Sequence, residues 1–227
     1  MTKLFLRLTT FASVTLAGLL PVSVRAMDMA LADNIVTLSG PVLDGDLAKF
    51  QDALAAQPGI TTVVLKNSYG GDAAAGYRIG ELIREKGLTT VVSGYCVSSC
   101  SRMFLGGKVR LFSDDQGLSG TYVGFHGHYR SNGQLNRQSV ERMGLYEWII
   151  KFSDGKADPA LVQRWVAIER NTGMVAFMHP QTRLWGEART FFCDGREARR
   201  PQGCEGLPVK ALDLGVLTDL TLWRRPG

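Results

Sequence analysis

Beyond residue 20 the 227-residue sequence has no apolar run approaching the roughly 20 residues that a membrane-spanning helix needs. It also lacks heptads, internal repeats and low-complexity tracts, which argues against a coiled coil, a solenoid or a disordered array. Basic clusters are missing too, apart from Arg196, Arg199 and Arg200 in one aperiodic stretch, so the footprint of a nucleic-acid binder is absent. The cysteine spacing matches no common zinc-finger pattern, and no metal or organic cofactor is expected. Histidine is scarce, with three in the chain. A catalytic imidazole must therefore be His126, His128 or His179.

What is present begins with a leader. Lys3 and Arg7 precede the apolar stretch Phe11–Leu20, followed by Pro21 and Val24-Arg25-Ala26: a positive region, an apolar region and a small-residue cleavage site. This predicts a signal peptide over 1–26, a second cleavage site at Ala32, and a periplasmic or secreted product. Membrane attachment is expected only if the leader stays uncleaved. Losing Lys3, Arg7 and Arg25, with no acidic residue among them, lowers the formal charge from +5 to +2. The basicity is thus mostly targeting. Residues 27–227 are long enough for one domain with a single core. In an exported chain, Cys96, Cys100, Cys193 and Cys204 suggest disulfides with three possible connectivities. Sequence proximity favours Cys96 with Cys100 and Cys193 with Cys204, the latter closing a loop near 193–204.

Strand-type and helix-type patterns alternate along the first half. Strands are expected at 34–39, 61–66, 88–93, 108–112 and 121–126, and helices at 46–56, 73–86 and 99–105. Such alternation implies an α/β fold with crossover connections and a mostly parallel sheet flanked by helices. Helices follow at 138–152 and 159–170, the second opened by Asp158 as cap and Pro159 in the first turn. Residues 183–208 read as a stapled loop, and 209–220 as a closing helix and strand.

Three features in chain order carry chemistry. Asn67-Ser68-Tyr69-Gly70-Gly71 is a turn between a buried strand and a helix, where glycines let backbone N–H groups face an anion. Its simpler reading is an ordinary strand-to-helix turn. Ser98, with Ser99 beside it, lies at a strand-to-helix junction, where free N–H groups stabilise an alkoxide or oxyanion. The competing role is a helix N-cap, the commoner duty of serine there. His126 and His128 share one face if their strand continues, and a serine nucleophile needs a base of near-neutral pKa. The competing role is a hydrogen-bonded structural histidine. Together, the order glycine turn, serine elbow, histidine strand supplies the oxyanion hole, nucleophile and base of acyl transfer.

These stretches resemble the Clp protease proteolytic-subunit (ClpP) family within the Clp/crotonase superfold. "NSYGGDAAAG" stands where the family has Asn-Ser-Pro-Gly-Gly followed by Ala-Gly. "SSCSRMFLGG" matches its catalytic serine and short apolar helix, "YVGFHGH" its histidine strand, and "ALDLGVLTDL" its closing segment. The resemblance implies repeated ββα units, a peptide or protein substrate and a homo-oligomer. It makes Ser98 the nucleophile, His126 the base, and the backbone N–H groups of Gly71 and Ser99 the oxyanion hole.

The sequence departs from that pattern at four places. Tyr69 replaces proline, Cys96 and Cys100 bracket the serine, and the loop 193–204 is added. Asn171 stands near the expected aspartate, where it can orient an imidazole but not offset its charge, a swap that costs a serine triad about 10⁴-fold. Asp154 and Asp158 are the other candidates for that place. Two readings therefore stand: an exported serine hydrolase acting on peptides through Ser98 and His126 with Asn171, or a non-catalytic periplasmic binding or assembly protein on the same fold. Thiol chemistry at Cys96 and Cys100 is a third, although their spacing is not Cys-x-x-Cys.

Overall fold

The β-branched and aliphatic runs form the frame. In a computed structural model that describes residues 26–184, 186–198 and 201–226, they build one nine-stranded sheet. The expected leader, except its last residue Ala26, lies outside the described residues, as do Arg199 and Arg200. The strands are Asp28–Ala32 (β1), Ile35–Ser39 (β2), Thr62–Ser68 (β3), Thr89–Val97 (β4), Val109–Phe112 (β5), Tyr122–Phe125 (β6), Met174–Met178 (β7), Thr190–Cys193 (β8) and Glu205–Leu207 (β9). Their order is β1-β2-β3-β4-β6-β7-β8-β9, with β5 also paired to β4.

Strands β2 to β6 pair in parallel around β4, whereas β1, β7, β8 and β9 are added antiparallel. The sheet is therefore mixed, correcting the mostly parallel expectation. The pairs β1-β2, β7-β8 and β8-β9 have no helix between them among the described residues, and such short connections favour antiparallel pairing. β1-β2 and β5-β6 each precede a helix in ββα order, while β3 and β4 are each followed singly by one.

Helix Asp46–Ala56 (α1) follows β2, Ala73–Glu85 (α2) follows β3, and Ser99–Gly106 (α3) follows β4. α2 starts where Asp72 accepts from the Ala75 N–H at 2.7 Å, and it buries Ile79 and Ile83. The expected helix over 138–152 is two: Arg137–Arg142 (α4) and Leu145–Phe152 (α5). Gly144 between them has φ 58°, which ends one helix and starts the next. Pro159–Val166 (α6) is capped by Asp158, as expected, but stops four residues short of 170.

The core fills the space between one sheet face and the helices, with Trp165, Phe125 and Phe177 packed at ring-centroid distances of 5.2 to 5.9 Å. On the opposite face Ile35, Val64 and Val91 pack beneath Leu111 and Trp223. The tail is held along β5, with the Trp223 N–H donating to the Phe112 carbonyl at 2.8 Å. It makes isolated bonds there rather than the strand expected at 216–220, and in place of the helix expected at 209–214 there are turns over 211–215. Residues 183–208 are not a plain loop either. They hold β8 and β9, short antiparallel strands whose few residues give no periodic signal.

The Cys96 and Cys100 sulfurs are bonded to each other, as are those of Cys193 and Cys204. Glu197 lies beside the second pair, but sulfurs joined in a disulfide are not the thiolates that bind zinc. Neither pair leaves a free thiol among the described residues.

Candidate active site

Parallel strands end on the same side of a sheet, so loops that follow neighbouring strands meet there. β3, β4 and β6 are adjacent and parallel, and the three chemical motifs follow them in turn. The glycine turn follows β3, Ser98 follows β4, and His126 follows β6. β4 makes this convergence possible by changing neighbours: Thr89–Val92 pair with β5, then Tyr95–Val97 with β6. The residues that follow line a polar cavity of about 370 Å³ containing Gly70, Gly71, Ser98, Arg102, His126, His128 and Asn171.

Ser98 has φ 61° and ψ −125°, a conformation that a side chain rarely adopts, at the turn from β4 into α3. A strained strand-to-helix serine turn is how a nucleophile elbow exposes its hydroxyl. The capping role is not the one adopted, because the Ser98 hydroxyl makes no cap bond. The first turn is tied instead by Ser101, whose hydroxyl donates to the Ser98 carbonyl at 2.6 Å. The backbone N–H of Ser98 donates to the Gly124 carbonyl on β6 at 3.1 Å. The Cys96–Cys100 bond spans this elbow, with both cysteines buried. Ser99 points elsewhere, its Cβ pressed against Gly76 of α2 and its hydroxyl buried without a partner.

The glycine turn lies directly on the serine elbow. Gly70 has φ 83°, and a Cβ built there would sit 2.8 Å from both the Ser98 Cβ and the Ser99 nitrogen. Only glycine fits that approach without displacing backbone. The loop after β2 braces the turn from behind, the Val42 N–H donating to the Gly70 carbonyl at 3.0 Å and the Asp72 N–H to the Val42 carbonyl at 2.8 Å. Among the described residues, the N–H groups of Gly71 and Ser99 have no acceptor.

The three histidines separate by their hydrogen bonds. His128 has both ring nitrogens occupied, Nε2 at 3.1 Å from the Tyr77 hydroxyl and Nδ1 at 3.0 Å from the Ser139 hydroxyl. His179 is also committed at both nitrogens, to the Leu220 carbonyl and the Gln181 N–H. His126 is committed at one, with Nδ1 2.8 Å from the Gly127 carbonyl. A carbonyl can only accept, so Nδ1 carries the proton and Nε2 of the neutral ring keeps its lone pair. Burial pushes the His126 imidazole down to about 4, and the nearby Arg102 charge adds to the fall. His128 falls to about 3 for the same two leading reasons. Both rings are therefore neutral at pH 7. Among the described residues, the Ser98 hydroxyl makes no hydrogen bond, with His126 or any other group.

Asn171 lines the same cavity, with its amide against Gly133. The position beside Nδ1, where a triad has its acid, is occupied by the Gly127 carbonyl. Neither alternative acid is at the site. Asp154 binds Arg84 at 2.9 Å and Arg110 at 3.0 Å, while Asp158 is the α6 cap, accepting from the Leu161 N–H at 2.7 Å. Sequence reasoning missed Gly127, since a backbone acceptor leaves no trace in residue type. It also missed Arg102, a cation inside a helix whose residues are all buried.

No family model matches the chain, and no curated protein matches it. Among solved structures it is similar to a ClpP1 mutant from Listeria monocytogenes, with 16% identity and a TM-score of 0.46, over 58% of this chain and 78% of that one. It is also similar to a mutant of the 1510-N membrane-bound stomatin-specific protease, with 13% identity and a TM-score of 0.43, over 60% and 72%. Both TM-scores fall below 0.5, and the fold and site described above rest on this chain alone.

Proposed function

We propose that the protein is an exported serine hydrolase that cleaves peptide bonds. The observation that carries this reading is the pairing, in one cavity, of a strained serine elbow at Ser98 with a buried imidazole whose Nε2 lone pair is uncommitted. The reading requires the Ser98 hydroxyl to turn toward His126 across the cavity that both line, and catalytic hydrogen bonds are often unmade before substrate binds. In the proposed reaction Ser98 Oγ bonds to the scissile carbonyl carbon and its proton passes to His126 Nε2. The carbonyl oxygen takes the negative charge, facing the N–H groups of Gly71 and Ser99. Collapse breaks the C–N bond, and His126 returns the proton to the departing amine. Water then attacks the acyl-serine by the reverse proton path, releasing the acid.

In this proposal Gly127 holds the ring in the required tautomer, and Asn171 contributes polarity to the cavity wall. Neither supplies a negative charge, so turnover is expected to be slow. Peptide specificity is supported by the motif resemblance, and export by the leader pattern together with two disulfides, which persist in oxidising compartments. A binding or assembly role remains the second reading, favoured by the missing acid and the unmade Ser98–His126 bond. Mass spectrometry after treatment with a fluorophosphonate probe separates the two. The hydrolase reading expects an adduct on Ser98 in oxidised, folded protein, abolished in His126→Gln. An unmodified Ser98 would favour the binding reading.

A further inference from the structure

Arg102, on the first turn of α3, lines the same cavity as Ser98. Only 2% of it is exposed. Its Nη2 donates to the His126 carbonyl at 3.3 Å, and its Nε is buried without an acceptor. The guanidinium carbon lies 5.2 Å from the centroid of the Tyr77 ring. Among the described residues no carboxylate forms an ion pair with it, and it is the only cation lining the Ser98 cavity. The groups around it are Tyr77, His126, His128 and Tyr129, and all are neutral at pH 7.

Burying a cation without a counter-charge is costly, and an apolar side chain at this position, like the adjoining Met103, Phe104 and Leu105, would avoid that cost. An anion entering the cavity would remove the deficit. We propose that Arg102 is the recognition residue for a carboxylate of the bound peptide, seated in the cavity beside Ser98 and His126. The peptide as ligand rests on the hydrolase reading; the anion site itself does not. One guanidinium with no second cation suits a monoanionic carboxylate better than a phosphate dianion, and its planar fork matches the two oxygens. The bound carboxylate would also place beside His126 the negative charge that neither Gly127 nor Asn171 provides.

The test uses the mature chain with both disulfides and Ser98→Ala, so that binding is read without turnover. Calorimetry compares N-acetyl-trialanine as the free acid, the same peptide as its C-terminal amide, and N-acetyl-Ala-Glu-Ala amide. Tighter binding of either carboxylate than of the plain amide, by about 30-fold or more for a desolvated charge pair, supports the proposal and shows which end of the peptide is read. Adding Arg102→Gln should erase the difference. Equal binding of acid and amide overturns the proposal, as does an unchanged preference in Arg102→Gln. If that variant fails to fold, the acid-to-amide comparison in the Arg102 protein still decides. Fluorophosphonate labelling of the Ser98 protein is scored separately. Labelling without carboxylate preference removes this inference and leaves the hydrolase, and carboxylate preference without labelling does the reverse.

Discussion

Arg102 and Arg110 are both buried arginines, eight positions apart in the chain, and they are partnered differently. Arg110 on β5 donates through Nη1 to the Gly107 carbonyl at 2.6 Å and through Nη2 to the Gly215 carbonyl at 2.8 Å and Asp154 at 3.0 Å. Asp154 in turn binds Arg84, which also holds carbonyls of α3 and α5. That network joins β5, α2, α5 and the tail, and Asp154 supplies both guanidiniums with a counter-charge, although the Arg110 Nε, like that of Arg102, has no partner among the described residues. Arg102 has a long hydrogen bond to a carbonyl and lies against Tyr77, and among the described residues it pairs with no acid. A buried charge answered internally acts as structure; one left unanswered in a cavity points to what enters from outside.

The most direct way to break this contrast is Arg110→Ala. Two buried carbonyls would lose their donor and Asp154 one of its two cations, Arg84 remaining, and the lost side chain would leave a cavity, at a cost of about 3 kcal/mol, seen as a fall in Tm of roughly 10 °C in a chain of this size. A loss below about 1 kcal/mol would mean that the internal answer is not what holds this region.

Acid titration probes the site end. His126 and His128 have depressed values in the fold, about 4 and about 3, against an ordinary 6.5. The unfolded chain therefore binds more protons across that interval. Stability is fully present above about pH 6.5 and should fall as pH drops toward 4, by about 1.4 kcal/mol per pH unit per histidine. The charged groups acting on these rings include Arg102 and, on His128, Arg142. Urea midpoints measured from pH 7 to 4 check the slope, and Arg102→Gln should make it shallower because one cause of the depression is gone.

Removing the Cys96–Cys100 bond by a double change to alanine should cost about 2 kcal/mol for so short a loop. It should also reduce fluorophosphonate labelling of Ser98 by loosening the elbow. Labelling at the native rate in a protein of lowered Tm would show that the bond stabilises the fold without shaping the turn. The smallest effect sharpens the contrast most. Arg102→Met should leave thermal stability within about 1 kcal/mol of the parent, or raise it, since an apolar replacement relieves an unpaired buried charge. A large loss of stability there would make Arg102 structural, like Arg110.

The strands and helices of the first half were legible because each buries one face or both. Thr62–Leu65 is fully buried and reads as a continuous β-branched run, and α2 shows its inward Ile79 and Ile83 at helical spacing. The second half was less legible. Met174–Met178 is buried throughout, so it has no alternation to announce it, and β8 and β9 are three or four residues long. Gly144 was visible inside the expected helix, but whether a glycine is tolerated or takes a positive φ depends on what packs around it.

The sequence by itself determined which residue types could act: a serine between two cysteines at a strand end, a pair of glycines after another strand, two histidines after a third, and no aspartate near 171. Tertiary structure decided among them. Ser98 faces the cavity while Ser99 packs on Gly76, and His126 keeps a nitrogen free while His128 spends both. Gly127 takes the place beside the imidazole, and Arg102 has no counter-charge among the described residues. The physical reason is that hydrogen-bond commitment and charge compensation belong to the neighbourhood of a group, and parallel strands assemble that neighbourhood from segments far apart in the chain.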